Sequence, residues 1–242
     1  RMLTRDDGLL PGADDIARAH GVEVGEGQAI EASPVVTGDF RAAQTEQLLT
    51  HHTIWLKNHN YHADRLAEQF PDWDRDQIFH AARALNEAEF QSVVYDEYLP
   101  AIIGGSNVAD YGGYDPKVHP GIVNDFTAAV FRFGHDQANN FFDLLEEDGS
   151  VDVDGPGPEG TGADVTLAAS FIPLAGEGAG VAKATSLEEQ ADWIRGQLGI
   201  PHQAIDGFVV SGNRGNLFGV PGLNLAAIDI VRGRDHGVND YN

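Results

Sequence analysis

There is no cysteine among these 242 residues, which excludes a disulfide framework, a thiolate metal site and a cysteine nucleophile together. Cations are scarce as well. Fifteen Lys and Arg stand against 38 Asp and Glu, a net charge of −23, and so acidic a surface repels phosphate backbones and anionic membranes alike. Neither a nucleic acid nor a membrane is therefore expected as a partner. No apolar run approaches the roughly 20 residues that a membrane helix needs, and the N-terminus does not resemble a signal peptide. The acidic balance fits an extracellular, periplasmic or salt-adapted setting, so a secreted or periplasmic protein is the expectation.

With 42% hydrophobic residues the chain can bury a sizeable core, most simply as one globular domain or a large part of one spanning 1–242. It opens on Arg1 and closes on Tyr241-Asn242 directly after a dense motif; a fragment or processed chain is expected. Residues 1–40 are rich in Gly, Asp and Pro and read as loop around the apolar Leu9-Leu10-Pro11.

Helical periodicity begins beyond that. Between Gln44 and Phe70 the positions Leu49, His52, Leu56, His59, Ala63, Leu66 and Phe70 recur in steps of three and four, predicting an amphipathic helix. His52 and His59 are a heptad apart, about 10 Å along the axis, too far to share one ion. Buried structural histidines are the better reading. Asp74 and Gln77 form a capping pair for a second helix reaching Gly104, kinked near Pro100 and apolar over most of its circumference, hence expected to be buried on several sides. A central helix is expected from about Gly121 to Glu147, with a core stripe of Phe126, Val130, Phe133, Phe141 and Leu144. Residues 146–164 read as an acidic loop, in which Asp148, Asp152 and Asp154 lack the spacing of an EF-hand. Helices over Leu187 to Leu198 (Ser186 as cap), Gln203 to Asn213 and Leu223 to Arg232 complete a mainly α-helical fold with little or no β-structure.

Within the central stretch lies Phe131-Arg132-Phe133-Gly134-His135. Arg132 and His135, three residues apart, share a helical face. That pairing suits an iron porphyrin, because an imidazole can take the axial position while a guanidinium reaches a propionate. A core histidine fits the same pattern. Asp229 and Arg232 repeat the spacing near the C-terminus, ahead of Gly233-Arg234-Asp235-His236-Gly237. In a chain so poor in cations, arginines gathered near two such helices need anionic partners, which two propionates would supply.

Several motifs follow one another in order: Gly38-Asp39-Phe40-Arg41, the helix with His52-Thr53 and His59-Asn60, Pro71-Asp72-Trp73 with Ala81-Ala82-Arg83, Tyr95 to Gly104, Phe131 to His135, and Leu225 to Asn242. In this order the chain resembles the animal-type haem peroxidases, also called the peroxidase-cyclooxygenase superfamily, and the wording around the last motif looks most like bacterial members. The resemblance implies a helical domain with haem b between the central helix and the segments around Arg41 and Arg232. It implies His135 as proximal iron ligand, Arg132 and Arg232 as propionate binders, and Arg41 as the distal arginine that stabilises negative charge as a peroxide O–O bond breaks. Asp229 stands where family members commonly have an Asn that accepts a hydrogen bond from the proximal imidazole. A carboxylate there gives the imidazole more imidazolate character and should lower the iron's reduction potential; the plainer alternative is a local cap or a salt-bridge partner of Arg232.

Two more departures matter. Mammalian members attach haem through an ester from a Glu three residues after the distal arginine, some with a sulfonium link from the next residue, a Met. Gln44 and Thr45 occupy those positions, so haem is expected not to be covalently attached through this segment. The family's distal His and its calcium loop lie well upstream of the distal arginine. Here only His20 precedes Arg41, without matching context, so a second chain or an upstream segment is expected to supply the distal base, and calcium only with it. The leading expectation is a peroxidase in which hydrogen peroxide drives oxidation of small phenols or halides. An oxygenase-like haem protein and a haem-free adhesion or scaffold module are the alternatives.

Overall fold

The computed structural model describes Met2, Asp39, Ala42, Leu217 and residues 45–151, 165–166, 187–215 and 221–238. The expectations for the N-terminal loop, Arg41, Gln44, Asp152, Asp154 and Ser186 lie outside the described residues. The chain divides into two compact units, one made of residues 1–4 and 52–120, the other of 5–51 and 121–242.

Helix α1, Glu46–Gln69, contributes its opening turns to the second unit and the rest to the first. Leu49, Leu56 and Ala63 are buried at the expected heptad spacing, together with Thr50, Thr53, His59 and Asn60. His52 is exposed instead, so only His59 is a buried histidine of the two. The buried face runs one residue further round the helix at that turn, where a threonine hydroxyl is easier to accommodate than an imidazole.

In the first unit α2, Arg75–Ser92, starts at the expected capping box: the Asp74 carboxylate accepts from Gln77 N and the Gln77 side chain accepts from Asp74 N. Ala63, Ile78 and Ala82 form a small core with Leu66 against it. Next to that core the two helices are joined by polar contacts, His62 Nε2 lying 3.0 Å from both Glu89 oxygens and Asn58 Nδ2 donating to Asn86 at 2.9 Å. The Trp55 and Phe90 rings meet edge to face at 5.2 Å.

The end of this helix differs from the expectation in kind. A π-helical turn, Val93–Tyr98, precedes α3, Leu99–Ile103. Pro100 has no N–H and its ring would strike the carbonyl four residues back, so the helix widens ahead of it, with Leu99 N donating to Val94 O, before Gly104 at φ +83° ends it. The expectation of burial on several sides fails: Leu85, Phe90, Val93, Tyr95 and Tyr98 are exposed.

The second unit corrects the central helix. Only α4, Asn124–Ala128, is α-helical. Ala129 then leaves helical geometry at φ −134°, and Val130–His135 continue as a 3₁₀ helix. A β-branched residue, three ring side chains and a glycine in that short segment are weak α-helix formers, and the tighter winding follows. Beyond Ala138 the chain is extended, and the expected stripe dissolves: Leu144 is buried, whereas Phe126, Val130 and Phe141 are exposed. Strand β1, Phe141–Phe142, pairs antiparallel with β2, Val165–Thr166, in the register Phe141↔Thr166, so β-structure is slight among the described residues, as expected.

A tight turn closes Leu145 onto Val151, with Gly149 at φ +82°. Helix α5, Leu187–Gly199, lies over this segment through Leu145 N donating to Asp192 O at 3.3 Å, and its Trp193 is buried. The helix expected over Gln203 to Asn213 is absent among the described residues apart from α6, Ser211–Gly215. Several of the intervening polar groups go to the segment after His135, Gln203 N to Gln137 O and Gln203 Nε2 to Asn139 Oδ1, and others close local turns, such as Phe208 N to Asp206 Oδ1. Helix α7, Leu225–Asp235, starts where Asn224 caps it by accepting from Ala227 N.

Candidate functional site

The 3₁₀ winding of Val130–His135 brings positions three apart into eclipse, so Arg132 and His135 stand one above the other more closely than on an α-helix. Both reach α7. Asp229 Oδ2 accepts from His135 Nδ1 at 2.7 Å, and Asp229 Oδ1 accepts from Arg132 Nη1 at 2.9 Å. An ionised carboxylate can only accept, so Nδ1 is the donor in this bond and Nε2 is the nitrogen not engaged by Asp229. Arg132 is itself fixed, its Nε donating to the Ala128 carbonyl at 2.9 Å and its guanidinium resting over Phe131. The Asp229 side chain is 19% accessible, which shields both bonds from much of the solvent's screening.

The alternative pairing of Asp229 with Arg232 is not the one formed; the carboxylate goes to residues nearly a hundred positions away. Arg232 instead lines an open cavity of about 210 Å³ with Ala227, Ile228, Val231 and Asp235. Arg132, His135 and Asp229 are thus brought together, with Arg232 one helical turn from Asp229.

The residues after His135 form a support that periodicity did not reveal. Asn213, buried in α6, donates through Nδ2 to the His135 carbonyl at 3.1 Å. Asn140 Oδ1 accepts from Ser211 Oγ and Gly212 N, Gln203 N donates to Gln137 O, and the Asp136 carboxylate accepts from Asp206 N. A second clasp joins α4 to the end of α7: Asn124 Nδ2 donates to the His236 carbonyl, and His236 Nδ1 donates to Asn124 Oδ1, each at 3.0 Å. The available signal was the run Asp136-Gln137-Ala138-Asn139-Asn140, polar side chains with backbone-like hydrogen-bonding groups in a segment where no helix satisfies the chain.

Comparison with known proteins decides what this arrangement is built on. The family model described as animal haem peroxidase matches residues 2–242. The chain belongs to the animal haem peroxidase family. It is 34% identical over 215 residues to a peroxidasin homolog of Mus musculus, covering 85% of this chain and 14% of that protein. It is 32% identical over 208 residues to peroxinectin A of Dictyostelium discoideum, covering 85% and 35%. Among solved structures, peroxidase A from Dictyostelium discoideum matches with a TM-score of 0.74 at 29% identity, over 100% of this chain and 43% of that one. The chain therefore spans less than half the length of these relatives, and the α-helical fold class is that of the animal haem peroxidases.

The family's haem fits the residues present. A histidine with Nδ1 committed to a carboxylate offers Nε2 in the tautomer an iron requires. The cavity beside Arg232 offers an apolar wall of Ala227, Ile228 and Val231 with the Arg232 guanidinium and the Asp235 carboxylate at its edge; the apolar wall and the guanidinium suit a porphyrin ring and a propionate. Among the described residues no cluster of three or more His, Asp or Glu side chains could hold a bare metal ion. No described helix is long and apolar enough to cross a membrane.

Proposed function

We propose that this chain supplies the proximal side of a haem b peroxidase that uses hydrogen peroxide to oxidise a small phenolic or halide substrate. The observation that carries the reading is the 2.7 Å bond from His135 Nδ1 to Asp229, which leaves Nε2 as the nitrogen that would hold the iron. Bound haem supplies the two-electron reduction of peroxide and the subsequent oxidation of substrate. The chain's residues do the rest. His135 holds the iron, Asp229 keeps its imidazole oriented and electron-rich, and Asn213 holds the His135 backbone. Arg232, with the unused donors of Arg132, binds the propionates as charge-assisted pairs. Arg41 is the distal arginine that steadies negative charge on the departing oxygen, and the distal base comes from an upstream segment or a second chain. The haem is not esterified to this segment, since an amide and a hydroxyl, Gln44 and Thr45, stand where the linking groups would be. The acidic surface fits an exported protein.

An anaerobic haem titration followed by optical absorption tests this. Stoichiometric binding with a histidine-ligated spectrum, abolished in His135→Ala, is the expected result. Tight binding unchanged by His135→Ala would overturn the assignment.

A further inference from the structure

We propose that Arg132 is a positioning residue that sets the reduction potential of the haem iron by acting on Asp229, rather than only a propionate binder. The proposal rests on the reading of His135 as the iron's ligand.

The Asp229 carboxylate is divided between two donors of different charge, His135 Nδ1 on one oxygen and Arg132 Nη1 on the other. A carboxylate that accepts from a ligating imidazole draws the Nδ1 proton toward itself and makes the ring a stronger donor to iron, favouring the ferric state. A guanidinium on the opposite oxygen pulls charge the other way and weakens that acceptor. The carboxylate with its guanidinium is therefore closer to a neutral amide than a bare Asp would be. Charge is one part of the effect and geometry the other. Arg132 is tethered at Nε to the Ala128 carbonyl one turn back, so its Nη1 holds Oδ1 in place. The torsion of the Asp229 carboxylate, and with it the line from Oδ2 to Nδ1, is thereby fixed. The 3₁₀ winding makes the pairing possible by stacking positions 132 and 135 on one face. Two guanidinium nitrogens are committed here, which leaves Nη2 for a propionate; the two roles are separable by experiment.

The experiment uses the full chain reconstituted with haem and measures the ferric/ferrous midpoint potential and the iron–histidine stretching frequency of the ferrous form. Four proteins are compared: wild type, Arg132→Gln, Asp229→Asn and the double variant. Arg132→Gln is expected to favour the ferric form about tenfold, a fall of about 59 mV for a one-electron couple, and to raise the stretching frequency. Asp229→Asn is expected to raise the potential and lower the frequency. In the Asp229→Asn background, Arg132→Gln should leave the stretching frequency nearly unmoved and shift the potential by clearly less than it does alone, the remainder being the propionate contact. Equal shifts in both backgrounds would overturn the proposal, because a cation acting through space or through a propionate does not need Asp229. So would an unchanged stretching frequency.

The haem-free protein gives an independent reading. The Nδ1 proton resonance of His135 should move downfield in Arg132→Gln and upfield in Asp229→Asn, and no movement in Arg132→Gln would count against the proposal. Where Arg132→Gln fails to fold, Arg132→Lys, which keeps the charge but not the fork, should give the same signs at smaller amplitude; no shift or the opposite sign overturns the role. A His135→Ala protein that keeps a histidine-ligated spectrum would instead overturn the reading of the site itself.

Discussion

At Gly196 α5 passes close against the segment that follows the candidate site. A Cβ built on it would overlap the Asp143 carbonyl oxygen and lie 2.8 Å from that carbonyl carbon, both backbone atoms. Helix propensity alone would make Gly196→Ala stabilising by about 1 kcal/mol. The overlap reverses the sign. Relieving it requires residues 143–145 to retreat by about an ångström, at an overpacking cost of about 1–3 kcal/mol. The same retreat stretches the bond from Leu145 N to Asp192 O, already 3.3 Å, and that from Arg195 Nη1 to Leu145 O, each contributing about 1 kcal/mol. A net loss of about 1–3 kcal/mol is expected, read as a lower urea midpoint with unchanged slope by far-ultraviolet circular dichroism. Gly233→Ala is the control: it sits in α7 with nothing within 4 Å of its built Cβ and should raise the midpoint by the propensity term. If Gly196→Ala stabilises as much as Gly233→Ala, the close approach of α5 to Asp143 is wrong.

Three further outcomes are expected. Asn213→Ala removes the donor to the His135 carbonyl and leaves that oxygen poorly satisfied, so stability should fall by about 1–2 kcal/mol and haem should dissociate faster in a competition assay with apomyoglobin; an unchanged off-rate would separate Asn213 from the site. Glu89 is held below its usual 4.5 first by the hydrogen bond with His62 and then by that from Asn58. Its stabilising contribution is therefore present above about pH 4.5 and lost as pH falls through its folded value; Glu89→Gln should flatten the urea midpoint below about pH 4.5, and a retained slope would assign the acid sensitivity elsewhere. Acid-acetone extraction should remove haem from the reconstituted protein completely, and residual bound haem would show a covalent link.

What was legible in the sequence was what is local. The capping box at Asp74 and Gln77 and the pairing of Arg132 with His135 each depend on residues within a turn of one another, and spacing alone reports them. The periodicity of α1 was readable for the same reason, to within the one-residue offset that exchanged His52 for Thr53. The central helix failed because Phe126, Val130 and Phe133 satisfy a helical period without saying whether the backbone winds with three or 3.6 residues per turn, and Ala129 broke the run without a glycine or proline to mark it. Of the partners of Asp229, the imidazole was implied by the family resemblance, and His135 does bond it, at a separation of 94, whereas Arg232, one turn away, was the plainer local alternative and is not the one used. The second partner was not legible: Arg132, at a sequence separation of 97, forms its bond because the fold docks α7 against the 3₁₀ segment. The amide support from Asn213 was invisible in the same way, at a separation of 78.

Those separations set an order of events. His135 and Asp229 are 94 residues apart, and Asn124 and His236 are 112 apart, so most of the second unit must be closed as one loop before the imidazole has its acceptor. Loop closure of that length is slow compared with forming any single helix. On a ribosome adding about 5–20 residues each second, His135 would wait about 5–19 s for Asp229, 94 residues on, to be made. Until α7 docks, the imidazole has neither a fixed tautomer nor a fixed direction. On the reading of His135 as the iron's ligand, haem capture thus follows the docking of α7, and the prosthetic group would select chains in which that helix has already reached its place.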